Sequence, residues 1–132
     1  MVKKSTLNFD RKTVILAFEW CKNKWGVSKF HDTFPKLVCH KKIDENKMYG
    51  YFDEDNNEIH IFLQPHKSIL DLIRTIIHEY THYTQNISKN YDKYAARSKH
   101  YYDNPYERAA EDKANKWALT CKRNLIVELS SK

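Results

Sequence analysis

Glycine and proline are scarce, with 2 Gly and 3 Pro in 132 residues. A chain this poor in turn formers excludes collagen-like and linker-rich architectures and sandwiches of many short strands. Long apolar runs are missing too: none approaches the ~18 residues that a membrane span needs. The opening MVKKSTLNFDRK has basic residues but no apolar stretch and no small-residue cleavage site behind them. The expectation is a soluble, non-exported protein with no membrane partner. Cysteine is limited to Cys21, Cys39 and Cys121, widely spaced and odd in number. That excludes a disulfide framework and a Cys-based zinc module, and makes a reducing cytosol the simplest location, bacterial or that of a host cell if the source is viral.

What is present fits one globular domain spanning 1–132, helix-leaning and expected to be monomeric. Apolar residues make up 41% and aromatics 14%, too many aromatics for a disordered chain. The formal charge of +6 is unevenly spread. Residues 1–48 hold 11 basic and 5 acidic side chains, 49–87 hold 2 and 6, and 88–132 hold 10 and 6. An acidic middle framed by basic flanks can attract an acidic partner or nucleic acid, although Lys-rich surfaces are usually only solvated faces. The richness in Lys, Asn and Tyr suits an AT-rich genome, that of a phage or other virus included.

Asp10 is placed to cap a helix over RKTVILAFEWCKNKW, with Val14, Ile15, Phe18, Cys21 and Trp25 inward and Gly26 as the stop. Residues 34–40 read as a short strand, and Tyr49 to Leu63 as a hairpin, YGYFD and EIHIFL joined by a DNN turn. Apolar residues return to helical spacing from Lys67 to about Ile87, and a last helix begins at Pro105, with Ala110, Ala114, Trp117, Ala118 and Cys121 on its inner side. Ser88 to Asn104 is weakly patterned and reads as a loop or frayed helix. The fold class expected is α+β: an N-terminal helix, a small twisted antiparallel or mixed sheet of about three strands, and two further helices.

The residues that carry chemistry lie inside the second helix. His78, Glu79, Tyr80, Thr81 and His82 form an H-E-x-x-H stretch. Residues four apart share one helical face, so the two imidazoles can converge on one Zn²⁺ at about 2.0–2.1 Å and leave positions for a third ligand and a water. Zinc lowers the pKa of such a water towards about 7, and Glu79, one step round the helix, can take its proton and pass it to a leaving amine. At about 100° per residue, His82 lies about 40° from His78 and Asp71 about 20°. Ile69, Leu72, Ile73, Ile76, Tyr80, Tyr83 and Ile87 fall between about 120° and 220°, so the histidines face away from the core stripe. Asp71, two turns back, is expected to be solvated.

A zinc site of this kind needs a third protein ligand. The H-E-x-x-H-x-x-G-x-x-H form requires Gly at 85 and His at 88, where this chain has Gln85 and Ser88, and is excluded. Two candidates remain: Glu107, with Glu111 one turn later on the same face to orient a ligand imidazole, and His100 in the Tyr-rich segment. Stabilisation of an oxyanion could come from His100, Tyr101, Tyr102 or Tyr106, which precede or open the last helix, though packing or exposure is the commoner role for a tyrosine. The strand EIHIFL is a candidate upper rim for the cleft, where an extended substrate could add by backbone hydrogen bonding. His60 reads as an exposed strand residue, and His31, His40 and His66 have no ligand-spaced partners.

His78-Glu79-x-x-His82 followed by Glu107-x-x-Ala110-Glu111-x-x-Ala114 resembles the small gluzincin-type metallopeptidases, notably the ImmA/IrrE-like group and related phage-encoded proteins. The likeness covers the last two helices, roughly half of the chain. It departs from the family pattern at Glu111, where Asn or Asp is commoner, and at Lys113, which replaces a common aromatic. The resemblance implies zinc ligands His78, His82 and Glu107, Glu79 as general base, and a minimal zincin-like fold with a small twisted sheet packed on the motif helix. The function expected is zinc-dependent hydrolysis of peptide bonds in a specific protein or peptide substrate, with repressor-like regulatory proteins as the family's usual targets. Two alternatives stand beside it. One is a DNA-associated protease resembling the SprT-like kind, with His100 as third ligand and the basic, Tyr-interleaved 88–104 segment on single strands. The other is a non-catalytic zinc-binding regulatory module.

Overall fold

The computed structural model describes residues 7–43, 45, 47–85 and 104–130. Its elements are α1 (Arg11–Trp25), β1 (Lys36–His40), β2 (Gly50–Asp53), β3 (Glu58–Phe62), α2 (Ile69–Thr84) and α3 (Pro105–Ser130). Among the described residues this is a small α+β fold of three helices and a three-stranded mixed sheet.

The start and stop signals act as read. The Asp10 carboxylate accepts the Thr13 N–H at 3.0 Å, and Gly26 ends α1 at φ 71°, a conformation that favours glycine. Val14, Phe18 and Cys21 are buried, but Ile15 is 39% exposed, and Ala17 takes the inner position assigned to it. Ile15 lies about 100° round the helix from Val14, which carries it off the core face. Trp25 and Trp117 are half-buried; they meet edge to face at 6.4 Å, and Lys113 sits 5.1 Å over the Trp25 ring, which gives the cation at 113 a partner.

β2 and β3 form the expected antiparallel hairpin. Its turn is held by the Asp53 carboxylate, which accepts from the Asn56 backbone N–H at 3.2 Å and side-chain amide at 2.8 Å. The strand order is β1-β3-β2, with β1 parallel to β3. β3 is therefore central and paired on both sides, so EIHIFL cannot be the rim to which a substrate strand adds. Alternation along that strand reports two faces of unequal burial and carries no information on edge or centre. The edge beside the motif helix is β2, which packs on α2. Gly50 permits that approach: a Cβ there would stand 2.8 Å from the His60 carbonyl oxygen and 3.0 Å from Thr75 Cγ2. Gly50→Ala is expected to destabilise the fold by about 1–3 kcal/mol, read as a lower midpoint in thermal unfolding.

α2 begins two residues later than its pattern starts, with Ser68 Oγ accepting the Asp71 N–H at 3.0 Å. Leu72, Ile73, Ile76, Tyr80 and Tyr83 form its core stripe. Tyr80 donates to the Gly26 carbonyl and Tyr83 to that of Thr33, both at 2.6 Å, which fastens the loop after α1 to this helix. The opposite, histidine-bearing face is not open to water. α3 packs on α2 in the most extensive helix–helix contact among the described residues, and Ala110, Ala114, Ala118 and Cys121 are its buried small side chains. Side chains this short let two helices approach closely, so the first turn of α3 reaches the motif.

Candidate metal centre

Two helices supply the site. His78 and His82 are one turn apart on α2; Glu107 and Glu111 are one turn apart at the start of α3. Asn104 starts α3 by accepting the Tyr106 N–H at 2.9 Å on its side chain and the Arg108 N–H at 2.9 Å on its carbonyl. That sets Glu107 in the first turn, facing the histidines. His78, His82 and Glu107 are 8%, 7% and 7% exposed, and one ligand atom from each lies within 4.8 Å of the others.

Glu107 Oε1 stands 3.5 Å from His78 Nε2 and in direct contact with His82 Nε2. Ligands held about 2.0–2.1 Å from a tetrahedral ion stand about 3.3 Å apart, so the His78–Glu107 spacing is that of two corners of a zinc site. The other ring nitrogens are turned to acceptors. His78 Nδ1 is 3.2 Å from Glu111 Oε2, and His82 Nδ1 is 2.8 Å from Gln85 Oε1. Acceptors there leave both Nε2 atoms as the nitrogens directed at Glu107, the arrangement that metal-ligating histidines use. The carboxylates exceed what two imidazoles can neutralise: Glu79 and Glu107 are buried and Glu111 is half-buried. Buried carboxylates in such excess are costly without a cation among them, so the donor set fits a divalent metal ion.

The ionisation of the site follows. Burial pushes the Glu79 carboxyl above its ordinary range, with His82 and His78 pulling it down and Glu107 pushing it further up. For His82, burial disfavours the imidazolium, but hydrogen bonding to Glu107, the charges of Glu79 and Glu107 and the Gln85 acceptor more than offset it, so its pKa is raised.

Beside the histidines opens a cleft of about 310 Å³. It is lined by Tyr49 and Gly50 at β2, by Asp71, Arg74, Thr75, His78 and Glu79 of α2, and by Glu111 of α3. Asp71, expected to be solvated, is thus part of the cleft wall and lies 3.7 Å from Arg74. Tyr106, one of the oxyanion candidates, is half-buried and does not line this cleft; its carbonyl instead accepts the Gln85 amide at 3.0 Å. His100, Tyr101 and Tyr102 lie outside the described residues.

The remaining histidines are engaged elsewhere. His60 is not an exposed strand residue. It is stacked on Tyr51 at 4.4 Å and bonded to His40 at 2.9 Å and Glu58 at 3.1 Å, because neighbouring strands bring these rings onto one sheet face. With Asp53 it forms a second group within metal-ligand reach, but both Asp53 oxygens are taken by Asn56. His66 bonds Thr75 at 2.8 Å and His31 stacks on Tyr83 at 4.9 Å. Sequence reasoning missed Gln85, used there only to exclude a glycine, and missed Tyr49 and Gly50. A polar residue three positions after the second histidine is the one signal that pointed to Gln85.

Comparison with protein-family models, with curated proteins and with solved structures finds no match to this chain.

Proposed function

We propose that the chain is a zinc metallopeptidase of the gluzincin type, with His78, His82 and Glu107 as ligands and Glu79 as general base. The observation that carries this reading is the convergence of those three ligand atoms within 4.8 Å beside a cleft that His78 and Glu79 line. Zinc bound there supplies Lewis acidity, which acidifies water and polarises a peptide carbonyl.

The chain's own residues do the rest. Glu79, buried and turned to the cleft, takes a proton from the attacking water and delivers it to the leaving amine. Its raised pKa suits a carboxylate that must both accept and release that proton. Glu111 and Gln85 orient the two imidazoles. The β2 edge at Gly50, unpaired among the described residues, offers backbone hydrogen bonds to an extended peptide lying along the cleft. The substrate class is accordingly a protein or peptide in extended conformation.

The test is hydrolysis of a mixed peptide library by zinc-loaded protein. New N-termini are expected, lost on chelation and regained when zinc is added back. Cleavage indifferent to chelators would contradict the proposal, and stoichiometric zinc without any cleavage would favour a regulatory zinc module.

A further inference from the structure

α2 stops one residue before Gln85, whose backbone is extended at φ −93° and ψ 153° while its N–H donates to the His82 carbonyl at 3.1 Å. This turn brings the Gln85 side chain back beside His82. Its carboxamide then lies between two groups of opposite requirement. The Tyr106 carbonyl can only accept, so the amide NH₂ must face it, at 3.0 Å. The amide oxygen is thereby turned to His82 Nδ1, at 2.8 Å, and as an acceptor it requires that nitrogen to carry a proton. That tautomer leaves the lone pair on Nε2, as a metal ligand requires; without a metal, the Glu107 carboxylate in contact with Nε2 is a rival acceptor for the proton.

We infer that Gln85 is a positioning residue: one side chain fixes the tautomer of His82 and ties the end of α2 to the turn that presents Glu107. Tyr106 immediately precedes Glu107, so a single amide sets the orientation of one ligand and the placement of another. The consequence for metal affinity rests on the zinc-site reading above; the tautomer and the bridge do not.

The experiment reads both. Imidazole ¹⁵N spectra of zinc-free Glu107→Ala protein, in which that carboxylate no longer competes at Nε2, are expected to show the Nδ1–H tautomer for neutral His82. In that background Gln85→Leu should shift it towards Nε2–H, and with Glu107 present Gln85→Leu should weaken zinc, measured by competition with a chromophoric chelator, by roughly 10–100-fold. Gln85→Glu retains an acceptor for Nδ1–H and should restore the tautomer, but it cannot donate to the Tyr106 carbonyl, so zinc affinity should return only in part. The tautomer is the readout that a mere packing defect would not move, and the remaining shortfall in affinity measures the tie to Tyr106. A Gln85→Leu protein with unchanged tautomer and unchanged zinc affinity would overturn the inference. Wild-type protein that takes up no zinc would sink the metal-site reading instead, and the tautomer in the Glu107→Ala background, with and without Gln85, would still decide for or against Gln85.

Discussion

Glu79→Gln is expected to bind zinc stoichiometrically and to hydrolyse peptides about 10²–10⁴-fold more slowly than the wild type. The amide matches the carboxylate in shape, and position 79 is not one of the three converging ligands, so the metal site should survive the change. What is lost is the capacity to take a proton from water and return it to the amine. The loss should fall on kcat with little change in KM, because the group acts on the transition state and not on the bound peptide. Stability offers an internal control. Burial already penalises the Glu79 carboxylate, and a neutral amide is cheaper to bury, so the variant should unfold no earlier than the wild type without zinc. Steady-state kinetics beside metal analysis checks the assignment; an undiminished rate would remove Glu79 from the mechanism.

Glu107→Ala is expected to abolish the stabilisation that zinc confers. At a free zinc concentration 1,000-fold above Kd, binding to the native state adds about 4 kcal/mol, which for a domain of this size raises Tm by about 10–20 °C. Without Glu107 two imidazoles remain, and the shift at the same zinc concentration should vanish. The pH dependence has a definite sign. The folded-state pKa of His82 is raised, so its pairing with Glu107 stabilises the zinc-free protein below the unfolded value and that contribution is lost as pH rises through the folded one. Zinc must displace the same proton, so its affinity weakens as pH falls, by up to about tenfold per unit for one proton. The zinc-free Tm should therefore fall over the same pH window in which the zinc-induced shift grows. Thermal scans at several pH values, with and without zinc, read both trends; a zinc shift that survives in Glu107→Ala would assign the third ligand elsewhere.

Much of this was legible in the chain because local signals were strong. Asp10 and Gly26 bounded α1, Pro105 opened α3, and the helical wheel put His78 and His82 opposite the stripe of Leu72, Ile73, Ile76 and Tyr80. What local signals do not encode is which element covers which face. The wheel showed the histidines turned from the stripe, but only the packing of α3 on α2 brings Glu107 to that face. The order of strands was equally hidden. EIHIFL alternates as an edge or a central strand would, and the parallel pairing of β1 with β3 follows from the path of the chain between them. His60 was misread for that reason, since its neighbours His40 and Tyr51 come from two other strands. Gln85 was hidden because its role depends on a carbonyl 21 residues away.

In diffraction data collected on both sides of the zinc absorption edge, from crystals grown with zinc, one anomalous peak is expected about 2.0–2.1 Å from Nε2 of His78 and of His82, with the Glu107 carboxylate completing the protein ligands at about 2.0–2.2 Å. A map with no peak between those side chains, or with His100 in the place of Glu107, would overturn the assignment of the zinc site.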